Sequence, residues 1–153
     1  MNLLQHILYV FLISMVPVIE LRGAIPVGVG LGLPFYAVFL TALLGNIAPV
    51  PILILFTRRV FEWLRKKSDF LERMVSKMER KAESKRDLLQ KYELLGLCIL
   101  VAIPLPGTGA WTGALVAAVF NLRLKYSFPA IALGVLIAGV IVSVVTYGVA
   151  VFL

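Results

Sequence analysis

Ile103-Pro104-Leu105-Pro106-Gly107-Thr108-Gly109 interrupts an apolar block, Leu94 to Phe120, that carries no charged residue. No continuous helix accommodates it, because each proline removes an N–H donor and the glycines favour other backbone conformations. Unbroken, the block could cross a membrane. Broken there, it leaves two pieces of about ten residues, each near 15 Å, about half of the roughly 30 Å hydrocarbon core. The spacing predicts a re-entrant hairpin.

The rest of the chain supplies the membrane. Of its 153 residues 61% are hydrophobic and 15% charged, with a mean hydropathy of +0.98, too apolar for a water-soluble domain of this size. The formal charge of +7 does not indicate nucleic acid, since 12 of the 15 Lys and Arg lie between Arg58 and Lys91, interleaved with seven acids from Glu62 to Glu93. That segment nets +5 (12 minus 7) and suits a membrane face. No Lys or Arg precedes the first apolar run and no small-x-small site follows it, so no cleaved signal peptide is expected.

Hydrophobicity divides the chain into blocks 2–33, 34–57, 94–120 and 127–152. Blocks 34–57 and 127–152 are 24 and 26 residues long and are expected to span. Pro34 and Pro129 stand near their starts, Pro49 and Pro51 are expected to kink the first, and polar Asn46 is expected to face protein. With 58–93 cytoplasmic, a spanning 94–120 would place Arg123 and Lys125 outside, whereas a hairpin returns them inside.

Irregular backbone at membrane depth survives only when buried in protein or lining a watery cavity. The expected partner of the second hairpin is block 2–33, where Pro17, Gly23, Pro26, Gly28, Gly30 and Gly32 break a similar run around Glu20 and Arg22. Ala24-Ile25-Pro26 matches Ala102-Ile103-Pro104, and Leu44-Gly45 matches Leu133-Gly134, as in a twofold repeat. The fold expected is an all-α integral membrane protein, one domain over 1–153. Hairpin plus spanning helix (1–57) would be followed by a charged amphipathic cytoplasmic segment (58–93) and an inverted copy of the first part (94–153).

Glu20 and Arg22 are the charges of the apolar run, and intramembrane charges mark functional sites. Burial and a nearby cation act on a carboxyl in opposite senses, so Glu20 is expected to alternate between protonated and charged as its contact with Arg22 changes. That pairing needs non-helical backbone between them, which Gly23 and the flanking prolines favour. Arg22 offers a fork of donors, and half-helix N-termini near Ala24 and Thr108 would aim N–H groups at the tips, favouring an anionic group. Pro104, Pro106, Gly107, Thr108, Gly109, Trp111 and Thr112 complete the expected lining, with Gly23, Pro26 and Asn46. A structural ion pair locking the hairpins together is the alternative.

Cys98 and His6 stand alone without ligand-spaced partners, and Ser76, Ser84 and Ser127 show no His or Asp partner, so no enzyme, cofactor or metal is expected. Phe70, Leu71, Met74, Val75, Met78 and Ala82 fall at helical spacing opposite Lys and Arg, as in a helix lying on anionic lipid.

Glu20-Leu-Arg-Gly-Ala-Ile-Pro26, Leu43-Leu-Gly-Asn46 and Ile103-Pro-Leu-Pro-Gly-Thr-Gly-Ala-Trp-Thr-Gly-Ala114 together resemble the small multidrug export family nearly end to end. That family is similar in plan to the DedA (VTT-domain) superfamily, whose two facing re-entrant hairpins are thought to move lipids such as polyprenyl-phosphate carriers. DedA proteins carry arginines around the second proline-glycine motif; this chain has no charge from Leu94 to Leu122. The resemblance implies a multi-pass bacterial inner-membrane transporter or exporter of small or amphipathic substrates. A lipid flippase or scramblase, or a membrane organiser that transports nothing, are the alternatives. The expected partners are membrane lipids, a small-molecule or lipid substrate and a second copy in a homodimer, without nucleic acid.

Overall fold

A computed structural model describes residues 2–83 and 86–152. Eight helices and no strand are found among them: α1 (Leu3–Met15), α2 (Glu20–Gly30), α3 (Phe35–Ile47), α4 (Val50–Lys67), α5 (Asp69–Glu83), α6 (Arg86–Ala102), α7 (Ala110–Val119) and α8 (Leu124–Phe152). Helix starts follow their local chemistry. The Asn2 N–H donates to Gln5 Oε1 (2.8 Å) at the head of α1, and Pro34 at φ −65° precedes α3. Arg65, Lys66 and Lys67 close α4, while Asp69 and Glu72 open α5, each sign opposing the helix dipole.

Two stretches are long and apolar enough to cross a membrane: Phe35–Lys67, which is α3 and α4 in series, and Leu124–Val151 in α8. Only 39% and 33% of their apolar windows are buried inside the protein, so these are not core helices of a soluble fold. Large apolar side chains face outward along them, among them Leu44, Ile52, Phe56, Val144 and Val145. A surface this apolar requires lipid, and the chain is a membrane protein.

Glycines set the helix crossings. A Cβ on Gly45 would stand 2.5 Å from the Phe11 carbonyl oxygen, and one on Gly134 would stand 2.7 Å from that of Cys98, so α3 lies against α1 and α8 against α6 at backbone distance. Gly28 of α2 packs between Val10 and Val38, and Gly113 of α7 between Val101 and Ile131. Each half therefore repeats one plan, a short helix wedged between its predecessor and a long helix. The halves interlock, since α2 also packs on α8 and α7 on α4. Phe35 meets Tyr147 edge to face at 5.2 Å, and Gly139 faces the Phe39 ring, so α3 and α8 run antiparallel.

Several boundaries differ from expectation. The first break falls at 16–19, and α2 then runs unbroken through Pro26 and Gly28. Gly28 serves a close crossing there, and Pro26 sits on α2 where the Arg22 carbonyl would otherwise find an N–H. The shared Ala-Ile-Pro string is therefore no structural correspondence, because 24–26 is helix interior and 102–104 is a helix end. Pro49 falls in, and Pro51 just after, a two-residue turn, 48–49, whose backbone stays helical, so α3 and α4 continue one another across the expected kink, and α8 starts at Leu124, three residues before block 127–152. The second break, 103–109, lies where expected. In α5, Phe70 and Met74 are exposed at 74% and 48%, an unpartnered apolar stripe. The side chains of Met78 and Ala82, and all of Ser84, lie outside the described residues.

Candidate functional site

The two breaks meet, and two charges join them. Glu20, the first residue of α2, is 2% exposed, and its Oε1 accepts the Trp111 N–H at 3.2 Å, with the Ala110 N–H beside it. Those donors belong to the first turn of α7, whose own N-terminal residue, Gly109, supplies no side-chain cap. The carboxylate of the first half thus caps the N-terminus of α7 in the second, where an anion is favoured. Gly109 makes room for it: at φ +130° it has a backbone that L side chains rarely adopt, and a Cβ there would fall on the Glu20 carboxylate.

Arg22 addresses the other side of the same break. Its Nη1 donates to the Leu105 carbonyl, and its Nη2 to the Ile103 carbonyl (3.2 Å) and Thr108 Oγ1 (3.0 Å). Ile103 follows the last residue of α6, so the guanidinium neutralises carbonyls at that helix's negative end. Thr108 ties the loop together, its hydroxyl lying 2.7 Å from the Ile103 carbonyl and 2.8 Å from that of Leu105. Thr112 Oγ1 donates to the Gly107 carbonyl at 2.9 Å. In return the Trp111 indole N–H donates to the carbonyl of Met15, the last residue of α1, at 3.0 Å.

Non-helical backbone between Glu20 and Arg22 was expected and is not found. Arg22 lies within α2, and the two charges attract one another but take their hydrogen bonds from the second break and the first turn of α7. The second half-helix begins at Ala110, near Thr108 as expected, whereas the first begins at Glu20 instead of near Ala24, which is why the acid and not a backbone N–H stands at the first tip. Conformational strain gathers at that tip, with Val18 at φ 74° and Glu20 at φ 49°. Non-glycine residues in this region cost about 1–3 kcal/mol each and persist only where the surroundings hold them.

Of the remaining expected residues, Pro104, Pro106 and Gly107 form the exposed outer turn of the break, Gly107 at φ +81°. Gly23 lies one turn from Ile19, where a Cβ would meet Ile19 Cγ2 at 2.5 Å. Asn46 makes none of these contacts. Antiparallel rise from the Gly28–Val38 contact, eight residues along each helix, puts it at the depth of Glu20. There it is 1% exposed, with an Oδ1 that meets no donor among the described residues. Sequence reasoning missed Met15, Val18 and Ala110, which act through backbone atoms or backbone conformation that residue type does not signal.

In comparison with known proteins, no curated protein and no solved structure matches the chain. A family model described as "Putative small multi-drug export protein" matches residues 20–141, from the buried Glu20 just after the first break, through the second break and into α8. The chain belongs to that family.

Proposed function

We propose that this chain is a membrane exporter of small or amphipathic anionic substrates, with its site where the two breaks meet, and that the structure represents its closed state. The observation that carries the reading is the buried Glu20 carboxylate on the first turn of α7. An anion-favouring helix terminus at membrane depth holds an acid of the protein itself, and a substrate anion would take that place when Glu20 is protonated or withdrawn. Arg22, released from the Ile103 and Leu105 carbonyls, would supply the bidentate contact. Rocking of one half against the other would then alternate access.

Depth supports this. Asn46, level with Glu20, is near the centre of apolar block 34–57. The Gly113–Ile131 contact sets Ala110 level with Gly134, ten residues or about 15 Å into α8, half the hydrocarbon thickness. The antiparallel run of α3 and α8 supports two re-entrant hairpins of inverted topology, with 58–93 on the cytoplasmic side of the inner membrane. Exposed loop backbone at 16–19 and 103–107 needs cover at that depth, which favours a homodimer.

The mutual capping also favours a second reading, in which Glu20 and Arg22 only lock the halves together. Proteoliposomes separate the two. Wild type should release carboxyfluorescein in a pH-dependent manner that Glu20→Gln abolishes, while ethidium stays inside. Equal dye release from both proteins, or none above empty liposomes, refutes the transport reading. Movement of a fluorescent anionic lipid in place of the dye would assign the site to lipid flipping of the DedA type.

A further inference from the structure

We infer that the outer face of α4 binds the headgroup of an anionic phospholipid through Arg58, at a site separate from the meeting of the two breaks. Val50, Ile54 and Arg58 follow one another at helical spacing, and the first two are fully buried. Arg58 thus stands at the edge of a packed face of α4: its Nε and Nη2 are enclosed and meet no acceptor among the described residues, while Glu62 one turn on attracts it. The enclosed nitrogens are closed to a ligand as they stand, so a headgroup meets Arg58 where its side chain lines the neighbouring groove, and charge-assisted bonds to phosphate are among the strongest a side chain makes.

The groove beside them has the shape of a lipid's chemistry. It is lined by Ile52, Leu55, Phe56, Arg58, Arg59 and Glu62. The three apolar members precede the arginines by one or two turns and are more than half exposed, so an acyl chain along them brings a phosphate to Arg58 and Arg59. Two cations against one acid leave the groove positive and select an anionic headgroup over a zwitterionic one. The inference rests on the membrane placement of α4, not on transport.

Native mass spectrometry of the purified protein, loaded with dioleoyl phosphatidylglycerol or dioleoyl phosphatidylcholine, tests it without any flux. Wild type should retain phosphatidylglycerol preferentially, and Arg58→Gln should weaken that retention about tenfold while leaving phosphatidylcholine unchanged. Should Arg58→Gln not fold, Glu62→Gln still decides, because removing the acid should strengthen phosphatidylglycerol retention severalfold. Equal retention of both lipids by wild type, or of phosphatidylglycerol by wild type and variants, overturns the site. Displacement by millimolar inorganic phosphate would overturn the lipid as its occupant.

Discussion

Glu20 and Arg22 stand two residues apart and cap opposite sides of one break, the carboxylate on the N–H groups that open α7 and the guanidinium on the carbonyls that follow α6. Each charge thus meets polar backbone groups at or just beyond a helix end that would otherwise need another partner. The pairing is reversed along the chain: the acid, which comes first, caps the later helix, and the base, which comes second, meets the end of the earlier one.

The first prediction separates the charge of Glu20 from its hydrogen bond. Glu20→Gln retains an acceptor for the Trp111 N–H and should lose only the charge–dipole contribution, about 0.3–2 kcal/mol. Glu20→Ala leaves that N–H unpaired in a buried place, at a further cost of about 1–3 kcal/mol. Thermal unfolding in detergent should rank wild type above Glu20→Gln and Glu20→Ala last. Equal melting temperatures for the two variants would show that the hydrogen bond contributes nothing.

Two glycines of the second break should behave differently. Gly107→Ala meets nothing within 4 Å and suffers only its φ of +81°, about 1–2 kcal/mol. Gly109→Ala adds a methyl where the Glu20 carboxylate lies, expelling the cap as well as straining the backbone. Its melting temperature should fall well below that of Gly107→Ala, and combining it with Glu20→Ala should cost less than the two single effects added. Strict additivity would mean that the two residues do not meet.

Arg22→Lys tests the fork. A lysine keeps the charge but cannot serve the Ile103 and Leu105 carbonyls and Thr108 from one planar group. The variant should lose about 1–3 kcal/mol, and amide hydrogen exchange should quicken across 103–109 more than at the crossing around Gly45. Uniform exchange along the chain would argue against a local tie.

How much of this was legible in the sequence follows from where the information sits. Ile103 to Gly109 could be read because prolines and glycines act on their own backbone, and the break appeared within its expected bounds. Glu20 and Arg22 could be picked out because charge in an apolar run is conspicuous, and Thr108 and Trp111 were in the expected lining, but the pairing atoms could not be read, since most are backbone groups more than 80 residues away. Pro26 and Gly28 misled for the same reason in reverse. They look like breakers, yet α2 is held by packing of Gly28 against Val10 and Val38, and tertiary contact overrides local preference. The span 34–57 was legible as apolar length, but its continuation to Lys67 depended on charged residues that composition assigned to water.

The last prediction concerns which side of the membrane each end of the halves occupies. Lys67 closes α4, and Arg123 precedes α8; both are exposed. Because Phe35 of α3 lies against Tyr147 near the end of α8, the far end of the α3–α4 span and the start of α8 point to one side. In a Cys98→Ser background, which removes the lone thiol, Lys67→Cys and Arg123→Cys should both resist an impermeant maleimide applied to intact cells and both react in inverted vesicles. Arg123 is the better reporter than its neighbour Asn121, whose φ of 53° would strain a cysteine. Labelling of the two positions from opposite sides would make 94–120 a crossing segment, and the two breaks could then no longer belong to re-entrant hairpins of inverted topology.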